Sequence, residues 1–312
     1  MSAAHAAQAD PLPSWNEGAS KQSIVAFVQA VTNQNGPDYV APTDRIATFD
    51  NDGTLWAEQP LYIQLAFAVD RVKALAPEHP EWRTTQPFQA VLEGDREALG
   101  AAGVKGLLEL VMATHAGMTS EEFDRIAKEW FATARHPRFN RPYTDLAFQP
   151  MVELLGYLRA NGFKTFIVSG GGIEFMRVIS EQLYGIPPEQ VIGSSGKTRY
   201  ELRDGVPVLV RLPELDFFDD KDGKPTAIQK FIGRRPLAAF GNSDGDHQML
   251  QWTAAGSGRR LMGLVDHTDA EREFEYRVSS MGRLENAAVE AQQRGWTIVS
   301  MKDDWKRIFA FQ

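Results

Sequence analysis

Three short polar segments of the sequence hold the groups that could do chemistry, and each directly follows an apolar run. These segments are Asp50–Thr54, Ser169–Gly172 and Gly241–Asp246. The first has two carboxylates, Asp50 and Asp52, one residue apart. Two carboxylates at the end of a buried strand are costly unless a cation or a proton neutralises one of them. The segment therefore indicates a functional carboxylate pair, although its Asp-Gly dipeptide is also a common turn signal.

The second and third segments offer the partners that such a pair would need. Ser169 and the main-chain N–H groups of the glycines after it suit a phosphate-binding turn, and a plain Ser-Gly turn is the alternative. Three consecutive glycines do not fit the spacing of a dinucleotide-binding loop. In the third segment Asn242, Asp244 and Asp246 offer only oxygen atoms as ligands, which favours Mg²⁺ over softer metals.

One lysine lies at a position that its own helix does not explain. Pro225 is a favourable first residue of a helix, which places Lys224 at the N-cap. An ammonium group there faces the positive end of the helix dipole and caps poorly. A nearby anion would account for Lys224, and an exposed, solvated lysine is the alternative. Lys221 is a second candidate for the same role.

The elements that must position these groups alternate as in an α/β protein. Apolar runs predict strands at residues 45–49, 164–168, 237–240, 261–265 and 297–299, and Asp204-Gly205 predicts a hairpin over 197–212. Helices are predicted at 24–31, at 151–158 and from Pro225 onward. Because helices separate most strands, we expect a Rossmann-like parallel sheet with helices on both faces. The carboxyl ends of its strands would bring the three polar segments to one edge.

Residues 58–150 differ from the rest of the chain. Apolar residues recur there at helical spacing from Leu61 to Leu75, and Thr119 with Glu122 forms a capping box ahead of another amphipathic helix. No convincing strand interrupts this region. We therefore expect a helical cap domain at 58–150, inserted into a core made of residues 1–57 and 151–312.

Composition narrows the classes of function. The 312 residues carry a formal net charge of −8, so neither a nucleic acid nor an anionic membrane is an expected partner. With no cysteine in the chain, thiol nucleophiles and zinc–thiolate sites are excluded. The segment ending at Ala9 resembles a signal-peptide cleavage context, which favours a periplasmic or secreted protein over a cytoplasmic one. The oligomeric state stays open.

Together these motifs resemble the haloacid dehalogenase-like superfamily, in particular its phosphoserine phosphatase-like members with a helical cap. The match runs from Asp50 to about Leu250. Asp50–Thr54 matches the Asp-x-Asp-Gly-Thr nucleophile motif, Val168–Gly170 the second motif, and Lys224 the third. The fourth motif departs from the family pattern, because Asn242 stands where the family usually has Asp. Which of Asn242, Asp244 and Asp246 would be the third protein ligand of the metal therefore stays open.

The resemblance implies a Mg²⁺-dependent phosphomonoester hydrolase that acts on a small phosphorylated metabolite. Asp50 would attack phosphorus to form an aspartyl-phosphate, and Asp52 would act as general acid and then as general base. The metal would be bound by Asp50, the main-chain carbonyl of Asp52 and the fourth motif. The phosphoryl oxygens would be held by Thr54, Ser169, Gly170 and Lys224. Without a cation, a carboxylate ~3.5 Å from a phosphate dianion is repelled by about 9 kcal/mol at an effective dielectric of ~20.

Two other functions use the same residues. A phosphotransferase or phosphomutase would pass the phosphoryl group from the same intermediate to an alcohol, and a catalytically idle protein would only bind an anion. The resemblance assigns substrate choice to the cap. There Glu58 would bind an ammonium group of the substrate, and Trp56 and Tyr62 would line the mouth of the site. Packing between the cap and the core is the alternative for these aromatic side chains. His267, beyond the strand at 261–265, is interpreted as a surface histidine.

Overall fold

A computed structural model describes residues 10–279 and 282–312, apart from the side chain of Arg96. The predicted cleavage context at Ala7–Ala9 lies outside the described residues. Among the described residues, no helix is both long and apolar enough to cross a membrane.

The centre of the fold is one sheet. Its strands are β1 (Ile46–Phe49), β2 (Lys164–Gly172), β3 (Val191–Arg203), β4 (Val206–Phe217), β5 (Ala238–Gly241), β6 (Leu261–Thr268), β7 (Glu275–Tyr276) and β8 (Thr297–Ser300). Their order is β4-β3-β2-β1-β5-β6-β7, and β8 pairs with β6. The pairs that involve β1, β2, β5 and β8 are all parallel, whereas β4 and β7 pair antiparallel at the edges. The predicted α/β sheet is confirmed.

The register of the sheet explains why the polar segments meet. Phe49, the last residue of β1, lies opposite Ile167 of β2 on one side and Phe240 of β5 on the other. The rings of Phe49 and Phe240 stack with centroids 5.1 Å apart, so the centre of the sheet is packed directly beneath the site. Each of the three strands then continues into one of the polar segments at the same edge.

Twelve α-helices accompany the sheet in the described part of the chain. They are α1 (Ala19–Thr32), α2 (Ile63–Leu75), α3 (Phe88–Glu93), α4 (Arg96–Ala101), α5 (Gly103–His115), α6 (Ser120–Thr133), α7 (Gln149–Ala160), α8 (Ile173–Tyr184), α9 (Gly223–Ala227), α10 (His247–Ala254), α11 (Asn286–Arg294) and α12 (Met301–Asp304). A π-helix, Ile228–Ile232, continues α9. Most of the predicted helices and strands are present, and the structure extends several of them at one or both ends.

The chain between β1 and β2 is helical, with α2 to α6 and no strand assigned between residues 58 and 150. The predicted capping box is confirmed: Glu122 N donates to Thr119 Oγ1 (3.1 Å) and Thr119 N donates to Glu122 Oε2 (2.7 Å). One apolar cluster joins α2, α3 and α5, including Leu65, Val72 and Leu110. Phe123 of α6 instead belongs to the main core cluster. The division of the chain into a core and a cap domain stays a prediction.

The predicted hairpin is confirmed and is longer than expected, because β3 and β4 extend over 191–203 and 206–217. Its turn residues Asp204 and Gly205 both have positive φ, 53° and 80°. This is the conformation that an Asp-Gly turn of a two-residue hairpin requires.

Candidate active site

The nucleophile segment is fixed to the neighbouring strand by its main chain. Asp50 N donates to the carbonyl oxygen of Phe240 (2.9 Å), and the Asp50 side chain is largely buried. Gly53 follows with φ of +71°, and a Cβ there would lie 2.0 Å from Asn242 Nδ2. Only glycine fits at this position, because the turn needs positive φ and the first and third polar segments touch there.

Lys224 connects the first and third polar segments with the residue just before the second through one buried ammonium group. Its Nζ lies 2.9 Å from Asp50 Oδ1, 2.6 Å from Asp246 Oδ1 and 2.9 Å from the carbonyl oxygen of Val168. The contacts with Asp246 and Val168 are hydrogen bonds, and the contact with Asp50 is an ion pair. The lysine therefore neutralises the proposed nucleophile, and a direct phosphoryl contact would require one of these bonds to exchange.

Two sequence interpretations of the lysines are wrong. Helix α9 begins at Gly223 with Asp222 as its N-cap, so Lys224 is its second residue and not the N-cap. The alternative of an exposed, solvated Lys224 is also wrong, because 1% of its surface is exposed. Lys221 is exposed and takes no part in these contacts. The carboxylates of Asp246 and Asp50 raise the pKa of Lys224 despite its burial.

The fourth-motif carboxylates both have structural partners. Asp246 Oδ2 accepts from the main-chain N–H groups of Asn242 (2.9 Å) and Ser243 (3.1 Å), while its Oδ1 faces Lys224. Asp244 points away to α11, where it accepts from the main-chain N–H groups of Glu285 and Ala287 at 3.1 and 2.9 Å. The prediction that Asp244 supplies an anion to a metal is therefore not supported, because its charge stabilises a helix N-terminus.

Two side chains hold Asn242: Thr54 of the first segment and Glu58, four residues further along the chain. Asn242 Oδ1 accepts from Thr54 Oγ1 (3.2 Å), and its Nδ2 donates to Glu58 Oε1 (3.1 Å). These two hydrogen bonds fix the orientation of the amide group. Its oxygen keeps a second lone pair that could bind a metal ion. Thr54 is fully buried and lies outside the cavity lining. The prediction that it binds phosphate is thus replaced by a role in holding Asn242.

Asp52 has the surroundings of a general acid. Burial raises its pKa to about 6, although the Trp56 hydrogen bond and the Lys224 charge act to lower it. Trp56 Nε1 donates to Asp52 Oδ1 (2.7 Å). A Cβ on Gly171 would lie 3.5 Å from Asp52 Oδ2, so the carboxyl reaches the glycine loop. Protonated Asp52 is therefore well populated near pH 6.

Trp56 does not line the mouth of the site as predicted. Its side chain is 1% exposed and packs against Phe131, with ring centroids 6.2 Å apart. It is absent from the cavity lining, to which Glu58 and Tyr62 do contribute. The indole contacts Asp52 and the core, so its ring face is not accessible to a substrate.

The glycine loop is tied to the helical insert by a residue that sequence analysis missed. Ser169 Oγ accepts from Gly171 N (3.2 Å), and Gly172 N donates to Gln64 Oε1 of α2 (2.7 Å). A Cβ on Gly172 would lie 2.5 Å from Gln64 Nε2. No local pattern marks Gln64, because its partner lies 108 residues away in the chain.

A buried pair behind the nucleophile segment corrects another expectation. His267 is 2% exposed and is not a surface histidine. Its Nε2 donates to the carbonyl oxygen of Gly53 (2.8 Å), and its Nδ1 lies 3.0 Å from Glu273 Oε2. Burial lowers the pKa of His267, but Glu273 and Glu58 raise it above its ordinary value overall. The imidazolium thus anchors the Gly53 turn to the end of β6.

Glu58 joins this group from the cavity side. Tyr276 donates its hydroxyl to Glu58 Oε1 (2.7 Å), the same oxygen that accepts from Asn242. Burial raises the pKa of Glu58 to about 7, against the lowering effects of His267 and Tyr276. Glu58 is thereby a bonded part of the frame around Asn242.

The charge of the site indicates where a cation would bind. Burial, Asp246 and Asp52 raise the pKa of Asp50 well above its ordinary value, and Lys224 only partly opposes them. Within 10–279 and 282–312, no three His, Asp or Glu side chains form a group that could hold a metal. The available donors are the Asp50 carboxylate, the Asp52 main-chain carbonyl and the Asn242 amide oxygen. This all-oxygen set, with excess negative charge around it, fits Mg²⁺.

Asp50 and Asp52 open onto one cavity of about 160 Å³, and Asn242 lies just outside its lining, next to Ser243. The polar end of the cavity holds Asp50, Asp52, Ser169 and Gly170, as predicted for one shared site. Asp220, which sequence analysis did not single out, also lines it. A Cβ on Gly245 would lie 2.7 Å from Asp220 Oδ1, which places this carboxylate beside the third segment.

Comparisons with known proteins agree with this architecture. A protein of unknown function from Bordetella pertussis Tohama I has a TM-score of 0.52 at 18% identity, over 82% of this chain and 97% of that one. Two further structures have lower TM-scores. One, from Anaerococcus prevotii DSM 20548, is a functionally unknown protein (0.48, 15% identity, 90% of each chain). The other is a phosphoserine phosphohydrolase-like protein from Francisella tularensis subsp. tularensis SCHU S4 (0.42, 16% identity, 80% of this chain and 99% of that one).

No curated protein matches the sequence. The family model for haloacid dehalogenase-like hydrolases matches residues 47–251. This range contains the nucleophile segment, the glycine loop, Lys224 and the fourth motif, and it covers about two thirds of the chain. The chain therefore belongs to the haloacid dehalogenase-like hydrolase family.

Proposed function

We propose that this protein is a Mg²⁺-dependent phosphomonoesterase that works through an aspartyl-phosphate on a small phosphorylated metabolite. The observation that carries the proposal is that two carboxyl groups at one cavity have different partners. Asp50 lies 2.9 Å from the Lys224 ammonium, whereas Asp52 accepts a hydrogen bond from the neutral Trp56 indole (2.7 Å). One carboxylate is thus suited to attack and the other to carry a proton.

In the first step an Asp50 oxygen forms a bond to phosphorus while the bond from phosphorus to the leaving oxygen breaks. Asp52 donates its proton to that leaving oxygen, so the product departs as a neutral alcohol. In the second step Asp52 takes a proton from water, which attacks the phosphorus of the aspartyl-phosphate. The bond from phosphorus to Asp50 breaks, which releases inorganic phosphate and restores both side chains.

Residues of the glycine loop and of the frame around Asn242 support these steps. Ser169 and the main-chain N–H groups of the loop are the proposed donors to the phosphoryl oxygens. Asp50, the Asp52 carbonyl and Asn242 would hold Mg²⁺, which when bound supplies positive charge against the nucleophile and the phosphoryl group. Asn242 brings no charge of its own, and Glu58 and Thr54 keep its amide oriented.

Loss of the nucleophile tests the proposal. Asp50→Asn should lower the release of phosphate from acetyl phosphate on the order of 10³-fold or more, because no aspartyl-phosphate can form. Asp204→Asn, the same substitution at the exposed hairpin turn, should keep wild-type activity. Full activity of Asp50→Asn with an unchanged circular dichroism spectrum would rule out the nucleophile assignment. Release of phosphate that is replaced by transfer to an added alcohol would instead favour the phosphotransferase.

Removal of the metal is expected to have two measurable effects. EDTA should stop phosphate release and excess Mg²⁺ should restore it, since the charge around Asp50 is then left uncompensated. Mg²⁺ should also raise the Tm of the wild-type protein, because a ligand that binds only the folded state stabilises it. Asn242→Ala should require more Mg²⁺ for the same rise, and Asp244→Asn should not. An equal Mg²⁺ requirement in Asn242→Ala and wild type would contradict the ligand assignment.

A further inference from the structure

Helix α5 has two apolar faces: one is buried against α2 and α3, and the other is half-buried and lines a cavity. Leu110 is completely buried in the cluster that α5 shares with α2 and α3. The other face consists of Val104, Leu108, Val111 and Met112, at the spacing i, i+4, i+7 and i+8 of one helix side. These four side chains line the cavity, and Val104 remains 56% exposed. An apolar face that is kept open toward a cavity calls for an apolar occupant.

The same cavity reaches the proposed catalytic carboxylates. Its lining runs from Asp50, Asp52 and Ser169 at one end to the open face of α5 at the other. Further apolar side chains of the lining are Leu65, Phe123, Phe175, Leu215 and Phe218. A phosphoryl group bound at Asp50 would therefore leave the rest of its ester among apolar side chains.

The charged groups between these two ends are already paired. Arg211 is buried, with Nε donating to the carbonyl oxygen of His115 (3.0 Å) and Nη1 lying 3.3 Å from Glu174 Oε1. Its guanidinium carbon also lies 4.5 Å from the ring centroid of Phe123. Burial and Arg211 lower the pKa of His115, so this ring is neutral. Glu174 therefore balances the charge of Arg211, while Arg211 Nη1 stays a buried N–H group without a hydrogen-bond acceptor and is open to a polar atom of the substrate.

Two acidic side chains of the lining also have partners: Glu174 pairs with Arg211, and Glu58 accepts two hydrogen bonds. Glu58 accepts from both Tyr276 and Asn242, which leaves it poorly suited to the ammonium group that sequence analysis assigned to it. Asp220 lies at the catalytic end, beside Gly245 and the glycine loop. A zwitterionic leaving group would therefore bury its charges without partners, which is costly.

We propose that the substrate is a phosphomonoester of an uncharged, apolar alcohol, whose hydrocarbon group packs on the open face of α5. This inference rests on the phosphomonoesterase function proposed above and adds the chemical class of the leaving group. The cavity of about 160 Å³ must hold the phosphoryl group as well as the hydrocarbon group, and a protein cavity of ~150 Å³ is filled by benzene alone. A short alkyl chain or, at most, a single ring is therefore the matching size.

A homologous series of esters tests this class. Phosphate release would be measured with Mg²⁺ for ethyl, butyl, hexyl and phenyl phosphate, for phosphoserine and phosphoethanolamine, and for acetyl phosphate as a reference with a very small leaving group. Each methylene buried on α5 should raise kcat/KM roughly fourfold, so hexyl and phenyl phosphate should exceed phosphoserine by at least about tenfold. A preference for phosphoserine or phosphoethanolamine would overturn the inference while leaving the phosphomonoesterase intact.

A matched pair of variants on α5 tests whether its open face causes the preference for apolar esters. Leu108→Asn places an amide on the open face, and Glu109→Asn places the same residue next to it on the exposed side, outside the lining. The ratio of kcat/KM for hexyl phosphate to that for acetyl phosphate should fall about tenfold in Leu108→Asn. The ratio should stay at the wild-type value in Glu109→Asn, and circular dichroism would confirm that both variants fold. Equal ratios in the two variants would overturn the inference.

A binding measurement separates this inference from the proposed function. Absence of phosphate release from every ester, acetyl phosphate included, would reject the phosphomonoesterase. The class of ligand can then still be read from Asp50→Asn protein by isothermal titration calorimetry with hexyl phosphate and phosphoserine. Tighter binding of hexyl phosphate supports the apolar subsite, and tighter or equal binding of phosphoserine overturns it.

Discussion

At the scale of single residues, the site depends on how each carboxyl is paired. Asp50, Asp52 and Asp246 lie within one buried group, and Lys224 is the cation that contacts two of them. Asp246 accepts from the ammonium and from two main-chain N–H groups, so it holds the loop of the third segment. Asp52 instead receives a neutral donor, the Trp56 indole. This difference in partners separates the carboxyl that is proposed to attack from the carboxyl that is proposed to carry a proton.

Trp56→Phe should change the pH dependence of the reaction in a defined direction. The indole N–H stabilises ionised Asp52, so its removal raises the pKa of Asp52 above about 6. The first step needs protonated Asp52, and kcat for that step falls as pH rises through this pKa. The falling limb should therefore move to higher pH by about one to two units, since a hydrogen bond to a charged group contributes about 1.5–3 kcal/mol.

The measurement is the single-turnover rate constant at saturating substrate as a function of pH. Trp130→Phe is the matched control, because its Nε1 donates to Asp70 (2.9 Å) on the helical insert. That variant should keep the wild-type profile. A falling limb that stays in place, or moves to lower pH, in Trp56→Phe would contradict the assignment of Asp52 as the acid.

These residues also show what the sequence could and could not predict. Asp50, Ser169 and Asn242 were predicted to meet because each follows a strand, and the parallel register alone brings strand ends together. The partners of Trp56, Asp244 and Thr54 depend on where a side chain points within its loop. Asp244 faces α11, for example, and its acceptor contacts are more than 40 residues away in the chain. No periodicity or spacing in the sequence encodes such contacts.

At the scale of elements, β6 extends past its predicted end and holds the nucleophile turn from behind. The strand continues to Thr268, which places His267 inside the sheet edge and against the ring of Tyr276, with centroids 4.4 Å apart. The predicted end at Val265 left His267 in a surface loop, and that is why its burial was missed. The partner Glu273 lies in the connection to β7 and has no sequence signature.

His267→Gln should destabilise the fold in a pH-dependent way. The pKa of His267 is raised in the folded protein, so its charged form contributes stability that is fully present below the unfolded pKa near 6.5 and is lost as pH rises through the folded pKa. The free energy of unfolding should fall by about 2 kcal/mol relative to wild type at pH 6, and the difference should shrink at pH 9. Urea denaturation at both pH values measures it.

His79→Gln serves as the control for this comparison, because His79 lies at the surface beside Glu81. Its free energy of unfolding should remain within about 0.5 kcal/mol of wild type at both pH values. A difference between wild type and His267→Gln that grows from pH 6 to pH 9 would contradict the charged state assigned to His267.

At the scale of the whole molecule, the surface charge and the ligand have the same sign. The chain has a formal net charge of −8, and a phosphomonoester is close to a dianion at neutral pH. The site itself adds Asp52, Glu58 and Asp220 to the cavity lining. Positive charge in the site comes from Lys224, from Arg211, whose charge Glu174 balances, and from the proposed Mg²⁺, all of which act at short range. Long-range repulsion therefore opposes the approach of the substrate, while the short-range cations favour it once it is bound.

Changing the ionic strength should distinguish the long-range repulsion from the short-range attraction. The Debye length falls from ~30 Å at 0.01 M salt to ~8 Å at 0.15 M, so added NaCl screens the repulsion of the whole molecule but hardly the contacts inside the buried site. At saturating Mg²⁺, KM for a phosphomonoester should fall a few-fold over this range while kcat stays constant. Steady-state kinetics on butyl phosphate measure the effect. A KM that rises with salt would show that local positive charge at the entrance, and not the net charge of the protein, governs substrate capture.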